Sequence, residues 1–320
     1  MKVGVFLALF GNQTLQKALD YITKLGIDTV EIGAGNWPGD SHCKPAELLA
    51  DKKKLDGFKA TLKDYGVTIS ALSCHGNALH PNEAIAKANH EVQRNTILLC
   101  EKLRVDRMIT FSGCPGGGPE DKTPNWATCP WPPDFLDVLK YQWEKKAIPY
   151  WRREARFAKE HGVKICFEPH PGFIVYNPET MLRIRKACGK NLGCNFDPSH
   201  FFWQGIDPIA AARDLGEAIF HVHAKDTKIN PYKTAVNGAL DTKHYGDVFN
   251  RSWVFRTVGY GHDENWWRDF ISTLRTVGYD DVLSIEHEDS LMSQNEGLTK
   301  AVQFLQGLVI QEKTGAMWWA

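Results

Sequence analysis

The sequence predicts an α/β fold, a closed (β/α)8 TIM barrel with its helices outside. Three observations point to it. Apolar runs of strand length alternate with stretches of helical periodicity along the whole chain. Most of the connecting turns are short, as parallel strands with packed crossover helices require. The alternation yields eight strands, the number that closes a parallel barrel. An open doubly wound sheet would call for a glycine-rich phosphate turn after the first strand, where this chain has FGNQT. No repeat or linker divides the chain, so 1–320 reads as a single domain.

Taken in order, the apolar run at 3–10 reads as the first strand, and 14–25 is a helix that Gly26 stops. The second strand, 29–32, is closed by Gly33 and Gly35, a helix over 45–65 ends at Gly66, and 67–73 is the third strand. A long helix over 82–103 leads into the fourth strand, 107–111. The rhythm then breaks over 112–133, SGCPGGGPEDKTPNWATCPWPP. A loop this long in a compact domain is functional or disordered, and Trp126 and Trp131 favour function. A helix over 135–161, with Pro149 inside it, restores the alternation: strand 163–168, helix 178–187, strand 193–197, helix 208–215, strand 219–223. A second aromatic-rich interruption, 226–262, precedes helix 266–277, strand 282–286 and the closing helix 296–310. Both interruptions are expected to be active-site loops. The aromatic tail, 311–320, is expected to pack its two tryptophans on the barrel or on a neighbouring subunit.

Lys+Arg 38 balances Asp+Glu 38, so the formal net charge is zero and nothing draws the chain generally to nucleic acid or anionic membrane. No segment approaches the roughly 18 apolar residues of a membrane span. The opening MKVGVFLALFGNQT lacks a convincing small-residue cleavage site. The eight cysteines form no CxxC pair and read as reduced thiols, so a cytoplasmic protein is expected.

In such a barrel, chemistry sits at the carboxyl ends of the strands. The last four strands end as ICFEPH, CNFDPSH, FHVHAKD and LSIEHED, presenting Glu168, Asp197, His223 and Glu286. Alternation places Cys166, Asn195, His221 and Ser284 on the same inner side, and Phe167, Phe196, Val222 and Ile285 against the helices. Each residue alone is as readily structural; GCNFDPSH at 193–200 is by itself an Asp-Pro turn with a capping serine. Together, three carboxylates and an imidazole in one barrel mouth would conflict without a cation. One divalent metal ion removes the conflict. An oxygen-rich set with one histidine suits Mn²⁺, Mg²⁺ or Co²⁺ and permits Zn²⁺, with Mn²⁺ the expected ion.

Through FEPHPG, NFDPSH, HVHAKDT and SIEHED the chain resembles the xylose isomerase-like TIM-barrel superfamily, in particular its sugar phosphate isomerase/epimerase branch, which includes ketose 3-epimerases and inositol-catabolism enzymes. The resemblance covers nearly the whole chain. It implies that Glu168, Asp197, His223 and Glu286 bind one divalent metal, that Glu168 and Glu286 also exchange protons with the substrate, and that His200 faces the substrate. It makes Arg256, in WVFRTVGYGHDENWW, a candidate for gripping a substrate oxygen. The implied reaction is isomerisation or epimerisation of a sugar, keto-sugar or inositol derivative, in which a polarised carbonyl acidifies the adjacent C–H and an enediolate is stabilised.

His75, Trp126 and Lys225 are further substrate-binding candidates, since indole faces stack on sugar rings and Lys225, like His200, can carry protons. Trp37, Trp131 and Trp203 are weaker aromatic candidates. Asp226 reads as a partner behind the ligands, His221 as a satisfied interior histidine, and His170 and His287 as rim or packing residues. A homo-oligomer acting on a small carbohydrate or polyol is expected, and the lack of a clear phosphate-binding turn after strand seven or eight favours an unphosphorylated substrate.

Three alternatives stay open. The same enediolate can expel a β-leaving group, making the protein a lyase, a dehydratase or a 3-keto-glycoside deglycosidase. An abasic-site endonuclease of the same superfamily would carry histidines on strands three and four and an Asp-x-His after strand seven. Here strand four ends FSGCPGG and no Asp-x-His follows His223, which weighs against it. The third is a non-catalytic sugar-binding subunit, whose partner surface the tail tryptophans would suit.

Overall fold

Eight parallel strands close on one another. In the computed structural model, which describes residues 1–320, they are β1 (Lys2–Phe6), β2 (Thr29–Gly33), β3 (Thr68–Ser73), β4 (Arg107–Thr110), β5 (Lys164–Phe167), β6 (Leu192–Phe196), β7 (Ile219–Ala224) and one further strand near the C-terminus. Between β7 and that strand, β8 (Asp226–Ile229) and β9 (Trp253–Arg256) pair antiparallel outside the barrel, and β10 (Val282–Ile285) then completes it. The order around the barrel is β1, β10, β7, β6, β5, β4, β3, β2, with the crossover helices on the outside. The expected fold is the observed one.

Several boundaries differ from the sequence expectation. The first apolar run leaves the sheet at Phe6, and Leu7–Phe10 winds into a 3₁₀ turn with Leu7 and Phe10 buried. An apolar run demands burial without fixing backbone conformation. The helix expected over 45–65 is two, Pro45–Ala50 and Lys52–Asp64, because the Asp51 carboxylate caps the second by accepting from the Lys53 and Lys54 amides. The helix expected over 135–161 carries a π turn at Gln142–Ala147, next to Pro149, which has no N–H to give the ladder. The buried Gln142 amide at that turn donates to the carbonyls of Pro115, Gly116 and Asn125, tethering the irregular 112–133 segment.

The 226–262 interruption is organised rather than loose. Besides β8 and β9 it contains a helix, Pro231–Asn237, and Trp253 of β9 stacks on Trp203 at 4.6 Å. Of the two places expected for the tail, the barrel is not the one: Trp318 and Trp319 are 88% and 69% exposed and touch each other edge-on. No helix is long and apolar enough to cross a membrane. All eight cysteines are free, and burial pushes Cys74 and Cys166 up to about 12, leaving them neutral packing groups.

Two irregularities in strand register prepare the site. Val30 pairs with Ile69 and Glu31 with Ala71, so Ser70 is extra in β3; Cys194 pairs with Ile219 and Asn195 with His221, so Phe220 is extra in β7. Such bulges re-aim the side chains beside them. The second residue of β6, Gly193, has no room for a side chain, since a Cβ there would run into the Phe220 ring and the Ala218 carbonyl oxygen.

Candidate metal centre

β5, β6, β7 and β10 deliver four side chains to the barrel mouth. Glu168 follows β5, Asp197 follows β6, His223 lies in β7 and Glu286 follows β10, and one ligand atom from each lies within 4.8 Å of the others. Pro198 ends β6, and the Ser199 amide donates to Asp197 Oδ1 at 2.8 Å, fixing that carboxylate. Glu168 Oε2 accepts from Asn195 Nδ2 at 2.9 Å and lies 3.1 Å from His75 Nε2.

What the mouth leaves unpaired is as informative as what it pairs. His223 Nδ1 is 3.1 Å from Glu286 Oε2 and 3.2 Å from Glu168 Oε2. His200 Nε2 is 3.3 Å from both Asp197 Oδ2 and Glu168 Oε1. None of these contacts has hydrogen-bond geometry, so Asp197 Oδ2, His223 Nδ1 and both ring nitrogens of His200 are buried without a partner. Buried polar atoms are rarely left so, because each costs about 1–3 kcal/mol. A divalent cation among Glu168, Asp197, His223 and Glu286 would satisfy two of these atoms and offset two of the three carboxylate charges, Lys225 beside Glu286 offsetting the third, so the residues fit a metal ion.

The electrostatics tell the same story. Burial works against charge at every group here. Glu168 is nonetheless held well below the usual carboxylate range by His75, His200 and His223, and Glu286 is drawn down by Lys225 and His223. For Asp197 burial prevails and pushes it up, against His200 and Lys225. His223, despite burial, is held well above the usual imidazole range by Glu31, Glu168 and Glu286.

Directly beneath lies a second polar layer, whose key residue the sequence analysis missed. Glu31 of β2 is fully buried, with Oε2 2.9 Å from His223 Nε2 and 2.8 Å from Ser284 Oγ, while Ser73 donates to Oε1. His221 is the satisfied interior histidine expected, with Nδ1 2.8 Å from Asn195 Oδ1 and Nε2 3.2 Å from Ser70 Oγ. Burial drives His221 down to about 3, so it is neutral. The signal for Glu31 was available: in TVEIG, the alternation that turns Val30 and Ile32 outward turns Glu31 inward.

A cavity of about 510 Å³ opens above the mouth, and Glu168, Glu286, His200 and Lys225 reach its wall. His170, expected at the rim, is also there, its ring 4.0 Å from that of His200; burial pushes it down to about 3. His287 lines the cavity as well. Lys225 Nζ is 3.2 Å from Glu286 Oε2 and 2.6 Å from Glu288 Oε2. The 226–262 segment supplies Tyr245, Val254 and Phe255 as one wall.

Several expected contacts lie off the wall of this cavity. The 112–133 segment contributes nothing to the cavity wall: Trp126 donates its indole N–H to the Phe173 carbonyl at 2.9 Å and borders a separate depression with Tyr176 and Arg183. Arg256 is not on the wall either, because its Nε donates to Asp289 Oδ2 at 3.1 Å and ties β9 to the turn after β10. His75 sits below the wall against Glu168. Asp226 serves a loop rather than the ligands, accepting from the amides of Gly259, Gly261 and His262.

The sequence matches a family model described as xylose isomerase-like TIM barrel over residues 19–308. An uncharacterized protein of Bacillus subtilis (strain 168), YfiH, is 42% identical over 314 residues, 97% of this chain and 100% of its own length. An inosose dehydratase of Mesomycoplasma hyopneumoniae is 26% identical over 160 residues, 48% of this chain and 51% of its own. Among solved structures, a D-tagatose 3-epimerase-like protein superposes with a TM-score of 0.64 at 21% identity, covering 96% of this chain and 98% of that one. An IolI protein with a zinc atom gives 0.64 at 21%, covering 97% and 98%. At such identity the structural likeness carries the fold alone.

Proposed function

Since the chain belongs to the xylose isomerase-like TIM-barrel family, we propose that it is a divalent-metal-dependent isomerase or epimerase of an uncharged sugar, keto-sugar or inositol derivative. The observation that carries this reading is the convergence of Glu168, Asp197, His223 and Glu286, with Asp197 Oδ2 and His223 Nδ1 buried and unpaired. These four residues would hold the ion, Mn²⁺ being the one expected. Such an ion, when bound, polarises a carbonyl and makes the neighbouring C–H acidic.

The remaining work falls to the chain's own groups. Glu286 is the more open carboxylate, 19% exposed against 4% for Glu168, and is placed to take a proton from a carbon held in the cavity. Lys225 beside it keeps it charged and oriented. Glu168, pinned by Asn195 and His75, faces the cavity from another strand and can return the proton, which is what isomerisation and epimerisation need. His200 offers a ring nitrogen to a substrate oxygen. The cavity is of a size to take a monosaccharide or inositol. Lys225 is the one lysine or arginine on its wall and is already paired with Glu286 and Glu288, so no free cation awaits a phosphate.

Chelation followed by Mn²⁺ add-back, assayed on a panel of ketoses and keto-inositols, tests the proposal. Turnover should vanish and return, with a product of unchanged mass. Catalysis indifferent to chelation would reject it. A second reading, loss of water by the same proton abstraction, draws support from the inosose dehydratase relative. There Lys225 or His200 would protonate the departing hydroxyl. A product lighter by one water would decide for it.

A further inference from the structure

We infer that Glu31 is the positioning residue of the metal centre: it accepts the Nε2 proton of His223 and thereby turns the Nδ1 lone pair towards Glu168, Asp197 and Glu286. The inference rests on the metal-binding reading of those four residues and assigns a role to a fifth that touches no substrate.

Both partners are fully buried, and Glu31 Oε2 lies 2.9 Å from His223 Nε2. An ionised carboxylate can only accept, so a neutral imidazole facing it must carry its single proton on Nε2. Nδ1, the atom aimed at the three carboxylates, is then the acceptor a cation requires. The carboxylate is itself held fast: Ser284 Oγ donates to Oε2 at 2.8 Å, Ser73 donates to Oε1, and the irregular register between Val30 and Glu31 aims the side chain into the barrel. Phe6 lies against the His223 ring, with centroids 5.7 Å apart and planes at 28°, which resists a ring flip.

The competing interpretation is a second cation held by Glu31, His221 and His223, whose ligand atoms are also close together. The pairing argues against it. His221 already engages Asn195 through Nδ1 and Ser70 through Nε2, and both Glu31 oxygens accept from serines. None of these atoms is among the buried polar atoms without a partner, in contrast to Asp197 Oδ2 and His223 Nδ1 directly above. A cation there would have to displace the His221 Nε2–Ser70 and His223 Nε2–Glu31 hydrogen bonds to form its own.

The test measures Mn²⁺ affinity by chelator competition in the wild type, Glu31→Gln and Glu31→Leu, with melting temperature as the check on folding. Loss of an orienting carboxylate behind a metal-bound histidine weakens affinity by about 10–100-fold. Glu31→Leu should lie at the upper end and Glu31→Gln, which keeps an acceptor oxygen, nearer the lower. A folded Glu31→Gln and a folded Glu31→Leu that both bind within twofold of wild type overturn the inference. ¹⁵N NMR of histidine-labelled, Zn²⁺-loaded wild type needs no variant, with the His223 signals assigned by their loss in His223→Asn. A proton on Nε2 and the metal on Nδ1 support the assignment, and the reverse overturns it. Failure of the wild type to bind either ion would instead reject the metal-centre reading beneath it.

Discussion

Two polar layers stacked inside one barrel use the same residue types and behave in opposite ways. In the lower layer Glu31, His221, Asn195, Ser70, Ser73 and Ser284 meet one another's hydrogen-bonding needs. In the upper layer Asp197 Oδ2, His223 Nδ1 and the His200 nitrogens are buried and unpaired. A closed network of buried hydrogen bonds rigidifies what it touches, whereas an open one leaves polar atoms able to take a further partner. Residue composition does not separate support from site; the completeness of pairing does. Two residues join the layers, since His223 reaches down to Glu31 and Asn195 reaches up to Glu168.

The comparison is most sharply broken at the upper layer. Glu286→Gln keeps the shape of the side chain but cannot take a proton, and kcat should fall about 10²–10⁴-fold, read by steady-state kinetics on the active substrate. A loss under threefold would remove Glu286 from the reaction. Next in size is the effect of the ion on stability. At a concentration a thousand times its Kd, Mn²⁺ should add about 4 kcal/mol, seen as a rise in Tm that chelator reverses. A Tm that ignores both would mean the unpaired atoms are not waiting for a cation.

Away from Glu31, whose loss weakens metal binding, the lower layer should respond differently. Ser70→Ala strips His221 Nε2 of its partner, so it should cost about 1–3 kcal/mol of stability in denaturant titration while Mn²⁺ affinity stays within twofold. A tenfold loss of affinity would mean that the two layers are not distinct in role. The smallest effect is expected at Trp126→Phe, which removes an indole donor to Phe173 away from the cavity; KM should stay within twofold. A tenfold rise would return Trp126 to the substrate.

The barrel and the four convergent residues were legible because strand alternation and strand ends are local, periodic signals. Glu168, Asp197, His223 and Glu286 each close a strand whose pattern is visible in a few residues. Glu31 was equally periodic but sits in mid-strand, where a glutamate next to valine and isoleucine carries no mark of its partners 192 and 253 residues away. Arg256 and Trp126, expected as substrate contacts, lie off the cavity wall for the converse reason. Their residue types suit sugars, but Asp289 and the Phe173 carbonyl claim them, and such pairings are settled only by the fold. The ribbon within 226–262 escaped notice because its two strands pair across a 23-residue excursion, printed in the chain as aromatic and polar residues without alternation.

The contrast between the layers comes down to where a metal ion settles. Anomalous scattering from crystals grown with Mn²⁺ reads this directly. One ion per chain is expected at the mouth, bound by Glu168, Asp197, His223 Nδ1 and Glu286, with none among Glu31, His221 and His223 Nε2. An ion in the lower layer, or a mouth that stays empty at saturating Mn²⁺, would contradict it.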